Sequence, residues 1–555
     1  MKKLLLFACI AFMAISINTK AQNTQWAKHI GGADNNETAI DLKTDTEGNL
    51  YILGRSKGSV DFDPSESILQ LSSETFTPFI AKYSPDGELI WAGQLGSASS
   101  NYSEAFAMTL DENNNIYLTG IFTGTVDFDL SFDDYELTSQ NNYDMFVLKL
   151  SSNGVFVWAK AFDGALSGSA NPLDIAVKND EIYVAGYFDY TIQFNAAFDE
   201  SEHSSFGKDD VFLLQLDNNG EYVWSYTDGS EEDDRALGIE MSSNGDVFIT
   251  GYHEGEMDFG PGVAWENVTG SGTFIVKYLN SGVVGVNDRR ICDWTLSFGA
   301  QEGANIALDA EDNVYVTGTF GGSVNFNPLS GSGFYLTAPS YPDIYLTKIS
   351  GSRQFQWALT PYTYDTDGGI FPEDLSIDSQ GNIYITGQHS DDIFVKKYSP
   401  EGEQIYGTKF NIWGEQDWDN TGYGIAPADN NTFYLIADFE ETHYFNEDQD
   451  DQIEITAFGG KDLVLVKHDT DEAEVGIENA SMESTMSIYP NPSKDFISIS
   501  ENIDLKNIQI VSMDGRIHKT TNSSSIIDVS NLSSGIYFLK FELNNQTKSI
   551  KFIKE

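Results

Sequence analysis

The sequence predicts an all-β fold: a seven-bladed β-propeller closed by an N-terminal strand, followed by a small immunoglobulin-like β-sandwich. Three observations lead there. One strand is written seven times, as GNLYILG from Gly48, NNIYLTG from Asn114, DEIYVAG from Asp180, GDVFITG from Gly245, DNVYVTG from Asp312, GNIYITG from Gly381 and a blurred NTFYLIA from Asn431. Tryptophans recur in step at Trp26, Trp91, Trp158, Trp224, Trp294 and Trp357, 63 to 70 residues apart, with Tyr406 in the seventh equivalent place. Finally, the runs between turn residues are short, rich in Val, Ile, Tyr and Phe, and show no helical period.

In chain order, the first element is MKKLLLFACIAFMAISINTKAQ: Lys2 and Lys3, an apolar run from Leu4 to Ile17, and a small residue at Ala21. That is the pattern of a secretory signal peptide, residues 1–22, and the mature chain is expected to begin near Gln22 or Asn23. Cys9 lies inside the apolar run, which disfavours a lipid-anchor cysteine. Only Cys292 then remains, so no intrachain disulfide can form, and its place two residues before Trp294 reads as a buried strand position.

The repeat occupies residues 23–470. Its shortest unit, Trp357 to Ile405, shows the minimum of four strands: FQWAL, EDLSID, NIYITG and DIFVKKY. Four antiparallel strands repeated seven times are propeller blades. The phase predicts how the ring closes. If a blade starts at an EDLSID-type strand and ends on the tryptophan strand, the seventh lacks its fourth strand, while QWAKHIGG at Gln25 has no blade. The N-terminal strand therefore completes the seventh blade, Trp26–Ile30 beside Asp462–Lys467, and removes two open edges.

Longer units carry an extra segment between the second and third strands: VDFDP at Val60, VDFDL at Val126, IQFNA at Ile192, MDFGP at Met257, VNFNP at Val324 and HYFNE at His443. Asp61, Asp63, Asp127 and Asp129 offer hard oxygen ligands and are the calcium candidates. Phe is constant across the copies whereas the carboxylates are not, so the favoured reading is a half-buried strand with Phe inward, with at most a modest role for calcium.

The charge is lopsided. Residues 483–555 hold as many basic as acidic side chains, so the formal net charge of −54 falls on the region before them. Such a field excludes nucleic acid and anionic membrane as natural partners. The seven histidines sit in no metal-ligand spacing, and no nucleophile elbow, P-loop or Cys/His cluster occurs, so no catalytic or cofactor-binding residue is assigned. GSEEDDRALG at Gly229 reads as a solvated acidic loop. NSGVVGVNDRRIC at Asn280, with Arg289 and Arg290 against the acidic background, is a candidate contact loop.

Residues 471–482 form a polar, acidic linker, and residues 483–555 alternate short strands with Gly or Pro turns. The repeat resembles the seven-bladed bacterial propeller repeat family, with its GN-x-Y-x-T-G, D-x-F-x-x-K and tryptophan signature, over residues 25 to about 470. The tail resembles the type A sorting domain of the type IX secretion system. The residues that carry this are Tyr489, Pro490, Asn491 and Pro492 (YPNP), Asp514 and Gly515 in DGR, Leu532, Gly535 and Tyr537 in L-x-x-G-x-Y, and the basic ending with Lys551. The resemblance implies cargo of the type IX machinery, guided through the outer membrane, with the tail removed there and the cargo anchored or released. Together these readings describe an exported binding propeller that takes an extracellular protein or glycan on one face of the ring. The alternatives are a polysaccharide-degrading enzyme and a structural or adhesive surface component.

Overall fold

The computed structural model describes residues 23–470, apart from segments at 34–36, 97–101, 163–168, 261–267, 281–290, 362–369, 411–420, 447–451 and single positions, and, within 488–554, mainly the strands. The chain divides into two compact units, residues 1–475 and 476–555.

In the first unit every blade is a four-stranded antiparallel sheet, with strands a, b, c and d in chain order. Blade 1 consists of Thr38–Thr44 (a), Leu50–Asp61 (b), Gln70–Tyr83 (c) and Leu89–Gln94 (d). Strands a line the ring axis and strands d carry the tryptophans outside. Five more blades repeat this order. The seventh takes Gly422–Pro427, Thr432–Phe439 and Asp462–Asp469 from its own segment and Asn23–Ile30 from the chain start. Trp26 faces Lys467 and Ile30 faces Leu463, the closure expected from the phase of the repeat. Asn446 secures the first turn of this strand: its Oδ1 accepts from the Thr24 amide and its Nδ2 donates to the Thr24 carbonyl, both at 2.9 Å.

Strands b and c are apolar on both faces because each sheet is sandwiched between two neighbours. Ile116–Phe122 is buried along its whole length. The apolar cores therefore lie between blades: Tyr51, Leu53 and Ile80 of blade 1 pack with Met108, Leu118 and Leu148 of blade 2. Each large side chain so buried is worth about 1.5–3 kcal/mol.

The extra segments prolong the b–c hairpin, and their Phe points inward. Phe62, Phe128, Phe194, Phe259 and Phe326 are all buried. Phe62 meets Phe79 of strand c at 4.8 Å between centroids, and Phe259 meets Phe274 at the same distance.

One irregularity recurs in strand a. The pairing with strand b slips between Ala39 and Asp41, and likewise between Pro172 and Asp174 and between Pro372 and Asp374. A bulge of this kind re-aims side chains; here it turns the residues at 40–41 and their equivalents toward the axis.

In the second unit a three-stranded and a four-stranded sheet share a core of Ile497, Ile508, Ile510, Ile527, Val529, Tyr537 and Leu539. Among the described residues no helix is long and apolar enough to cross a membrane.

Candidate functional site

In a ring of four-stranded meanders the a–b and c–d turns lie at one end, and the b–c hairpins and interblade connections at the other. The two ends are built differently.

At the turn end a single device repeats. The a–b turn Asp45 accepts the amides of Glu47 (3.0 Å) and Asn49 (2.8 Å), the Asn49 side chain (2.9 Å) and the Tyr51 hydroxyl (3.2 Å). Lys82, from strand c, lies 3.3 Å from Asp45 and 4.6 Å from the Tyr51 ring centroid, and it donates to the Ser152 carbonyl in the c–d turn of the next blade. Lys277, Lys348 and Lys397 repeat the arrangement with Asp246, Asp309 and Asp378, and Lys467 donates to the Pro85 carbonyl across the seam, whereas blade 3 has Gln215 in the lysine's place. Hydrogen bonds from Asn and amide groups, followed by the lysine charge, outweigh burial and hold Asp45 and Asp309 below the usual aspartate range.

The tryptophans reinforce the same end. The indoles of Trp158, Trp294 and Trp357 donate to the carbonyls of Asn218, Gly351 and Pro400 in the next blade's turn. Trp26, Trp91 and Trp224 pack beside interblade cores and, among the described residues, have no counterpart of that bond. Gly87, Gly154 and Gly402 have φ of 74–82°, and a Cβ there would meet the preceding blade's Trp at 3.0–3.1 Å, so the turn needs glycine both for conformation and for space.

The opposite end carries the long hairpins and the exposed aromatics. Tyr190, Phe206 and Phe458 are 65%, 69% and 64% exposed. At the junction of blades 1 and 2, Arg55 pairs with Glu104 at 2.8 Å and lies 5.5 Å from the Phe76 centroid, while Tyr102 meets Tyr143 edge-on at 5.8 Å. At the junction of blades 3 and 4, Arg235 pairs with Asp209 and covers the Tyr187 ring at 4.7 Å.

Along the axis runs a cavity of about 480 Å³ to which all seven strands a contribute. Its hairpin-side layer is mostly apolar, with Ile40, Phe106, Leu173, Leu237 and Tyr423. The layers beneath hold Asp41, Lys43, Asp174, Glu240 and Asp374, while Glu373 takes the bulge position in the hairpin-side layer. Lys43 pairs with Asp41 at 2.7 Å. Burial works against its ammonium, but Asp41 and then Asp374 outweigh burial and keep the pKa above the ordinary lysine value. Burial raises Asp174 to about 7 and Asp374 to about 6. Both reach the next blade, accepting the amides of Ile239 and Ile425 at 2.8 Å. Glu373 is raised to about 7 by burial and by the charges of Asp374 and Asp438, and its backbone carbonyl accepts the Asn305 side chain of blade 5.

The calcium candidates sit at the hairpin end, where their oxygens bind backbone. Asp61 Oδ1 accepts the amides of Asp63 and Leu69 at 3.0 Å, and Asp127 Oδ1 accepts those of Asp129 and Tyr135. The Asn325 side-chain oxygen does the same for Asn327 and Phe334. Asp63 and Asp129 each accept the amide two residues on. Among the described residues no group of three His, Cys, Asp or Glu is arranged to hold a metal ion.

Cys292 is buried in strand d of blade 4. Arg289 and Arg290 lie outside the described residues, as do Pro490, Asn491, Pro492, Asp514 and Gly515. Of the other tail positions, Tyr489 pairs with Ser498, Gly535 pairs with Lys554, and Lys551 pairs with Phe538. Leu532 packs on the core, and the Tyr537 hydroxyl donates to the Ser533 carbonyl at 3.0 Å. The axial carboxylates and the lysine staples are not among the residues singled out from the sequence. The lysine of each D-x-F-x-x-K, repeated after an aspartate–asparagine turn, was the available signal.

The secretion system C-terminal sorting domain family matches residues 487–555. A curated relative, an uncharacterized WD repeat-containing protein of Acanthamoeba polyphaga mimivirus, is 28% identical over 158 residues, which is 26% of this chain and 11% of that protein's length. Among solved structures, a protein of unknown function from Dyadobacter fermentans aligns at 11% identity over 81% of this chain and 99% of its own, with a TM-score of 0.37. Drosophila Plexin A, solved in complex with Semaphorin 1b, aligns at 8% identity over 81% of this chain and 88% of its own, also with a TM-score of 0.37.

Proposed function

From a chain that a type IX sorting domain sends to the cell surface or extracellular space, we propose an exported binding propeller whose ligand, an extracellular protein or glycan, is taken on the hairpin end of the ring. The observation that carries this is the asymmetry of the ring. The turn end is consumed by its own staples, whereas the hairpin end presents Tyr190, Phe206 and Phe458 to solvent, beside guanidinium–carboxylate pairs over aromatic rings. Exposed aromatics edged by polar groups are the usual anchors of recognition. The polysaccharide-degrading alternative has less support, because Asp174 and Asp374, two of the axial carboxyls raised toward neutrality, spend oxygens on interblade amides. A purely structural role leaves the exposed aromatics without a purpose.

The test is a glycan and protein-ligand array probed with the isolated propeller, with and without calcium, and with the Tyr190→Ser/Phe206→Ser double variant alongside. Binding lost in the double variant supports the reading. Binding unchanged by it, or release of reducing ends from a bound glycan, refutes it. Deleting residues 483–555 supplies the isolated propeller, since all seven blades are complete by Asp469. That truncation is expected to leave the ring folded and the protein retained in the periplasm, read by fractionation and thermal melting.

A further inference from the structure

The junction of blades 2 and 3 departs from the staple found in four of the blades. Lys82, Lys277, Lys348 and Lys397 each lie within 4.0 Å of the aspartate of their own a–b turn. Lys149, the equivalent in blade 2, makes no such pair among the described residues, although Asp111, like Asp45, is bound within its own turn. Its Oδ1 accepts the amides of Asn113 and Asn115, and its Oδ2 accepts the Asn115 side chain and the Tyr117 hydroxyl. At four other junctions, moreover, the lysine reaches a backbone carbonyl of the next blade's turn, at a position held by Pro85, Ser152, Gly351 or Pro400. In blade 3 that position is Asn218, and Lys149 Nζ contacts its side-chain amide oxygen instead.

Asn218 is held from every side. Its backbone carbonyl accepts the Trp158 indole at 3.0 Å, its Oδ1 accepts the Tyr117 hydroxyl at 3.1 Å, and its Nδ2 donates to Asp180 Oδ1 at 2.7 Å. Lys149 is buried and lies 4.9 Å from the Tyr117 centroid, and Tyr117 meets Trp158 edge-on at 6.2 Å. An amine, a carboxamide and a carboxylate thus converge beside aromatic rings. We propose that Lys149 and Asn218 condense into an isopeptide bond that ties blade 2 to blade 3, with Asp180 as proton carrier.

The chemistry balances. Asp180 takes a proton from the Lys149 ammonium, and the freed Nζ lone pair attacks Asn218 Cγ. Negative charge gathering on Oδ1 is met by the Tyr117 hydroxyl. The Cγ–Nδ2 bond breaks as Asp180 returns its proton to Nδ2, and the second proton shed by Nζ goes to the same nitrogen. One ammonium enters as lysine, one leaves as free ammonium, Asp180 ends as it began, and nothing is oxidised or reduced. Burial favours the neutral amine that the attack needs, pulling Lys149 below the ordinary lysine value against the opposing charges of Asp111 and Asp180.

The test is mass spectrometry on the folded full-length protein, alongside the Asp180→Asn variant. The expected wild-type intact mass is short by one ammonia, and a protease digest should yield one branched peptide joining the segments around Lys149 and Asn218. The variant is expected to keep its ammonia and give two linear peptides. An unshortened wild-type mass overturns the proposal. So does ammonia loss confined to a single linear peptide, which marks a cyclic imide at an Asn-Gly turn such as Asn219–Gly220. If the variant does not fold, the wild-type digest decides alone.

Discussion

The two ends of the ring share the same strands and differ in what the repeat spends on them. At the turn end most blades supply an aspartate, an aromatic and a lysine, and the lysine is committed to the next blade before any ligand could use it. At the hairpin end the constant residue is a Phe that points inward, so the side chains above it are free of that packing duty. The difference teaches that repetition marks structure here and that variation marks the surface left for binding. Tyr190 and Phe206 have no fixed counterpart from blade to blade, whereas the staple lysine of blade 1 has counterparts in most of the ring.

Substitutions should separate the two ends. The largest effect is expected at the staples. Lys348→Met removes the cation facing Asp309 and leaves that buried carboxylate without its charge partner, which should cost about 3 kcal/mol in a urea titration. Asp309 is held below its unfolded pKa. Its contribution is therefore present above the ordinary aspartate range and lost as pH falls through the folded value, and the variant should lose part of that acid dependence. A variant as stable as the parent would mean the turn end is less committed than its geometry indicates.

The ring seam supplies the next effect, with the opposite sign. Glu37 is fully buried, and burial first, then the charge of Asp462, raises it to about 9; His29 Nε2 lies 2.5 Å from Asp462 Oδ2. Since the folded pKa exceeds the unfolded one, the folded state must keep a proton, and this group erodes stability as pH rises from about 4.5 to about 9. Glu37→Gln should therefore stabilise the protein by about 2 kcal/mol at pH 7.5, less than the full linkage of about 1.4 kcal/mol per pH unit because the site can relax. The gain should vanish near pH 4.5, read from melts at both pH values.

At the hairpin end the expectation reverses. Tyr190→Ser with Phe206→Ser should shift stability by no more than about 0.5 kcal/mol per site while weakening ligand binding at least tenfold. A large loss of stability with binding intact would make these rings structural. The smallest effect is expected of calcium. Asp61→Asn should melt within a few degrees of the parent, because Asn325 already closes the same hairpin with a neutral oxygen. A chelator that lowered Tm by more than about 10 °C would show that Asp61 and Asp127 hold a metal of real weight.

Much of this was legible before any coordinates. The count of seven and the role of Asn23–Ile30 follow from where the tryptophan strand begins and ends, because a missing fourth strand and a spare first one are visible as arithmetic. The inward Phe was legible from its constancy beside changing neighbours. The staples were not. In DIFVKKY the lysine looks like the polar edge of an apolar run, and nothing local shows that Lys397 is buried over a Tyr384 that is more than ten positions away. The axial carboxylates were hidden for a different reason. Asp41 and Asp174 face the cavity only because strand a carries a bulge, and a one-residue slip leaves no mark on a pattern of period two. The Lys149–Asn218 contact required knowing which turn lies next to which strand.

The closing strand also sets a schedule. Asn23–Ile30 is the first strand of the ring to be made and its partner, Asp462–Asp469, the last, so the final sheet waits for almost the whole first unit to be synthesised. Until then the N-terminal strand and strand c of blade 7 have raw edges, and the chain is most exposed to proteases and to pairing with other copies. Closing so long a loop costs little more at equilibrium than closing a shorter one, because the entropy grows only with the logarithm of length, yet non-local pairing is slow to find. The same strand that completes the ring thus makes its last step the hazardous one, and delay there would be felt as lost yield rather than as lost stability.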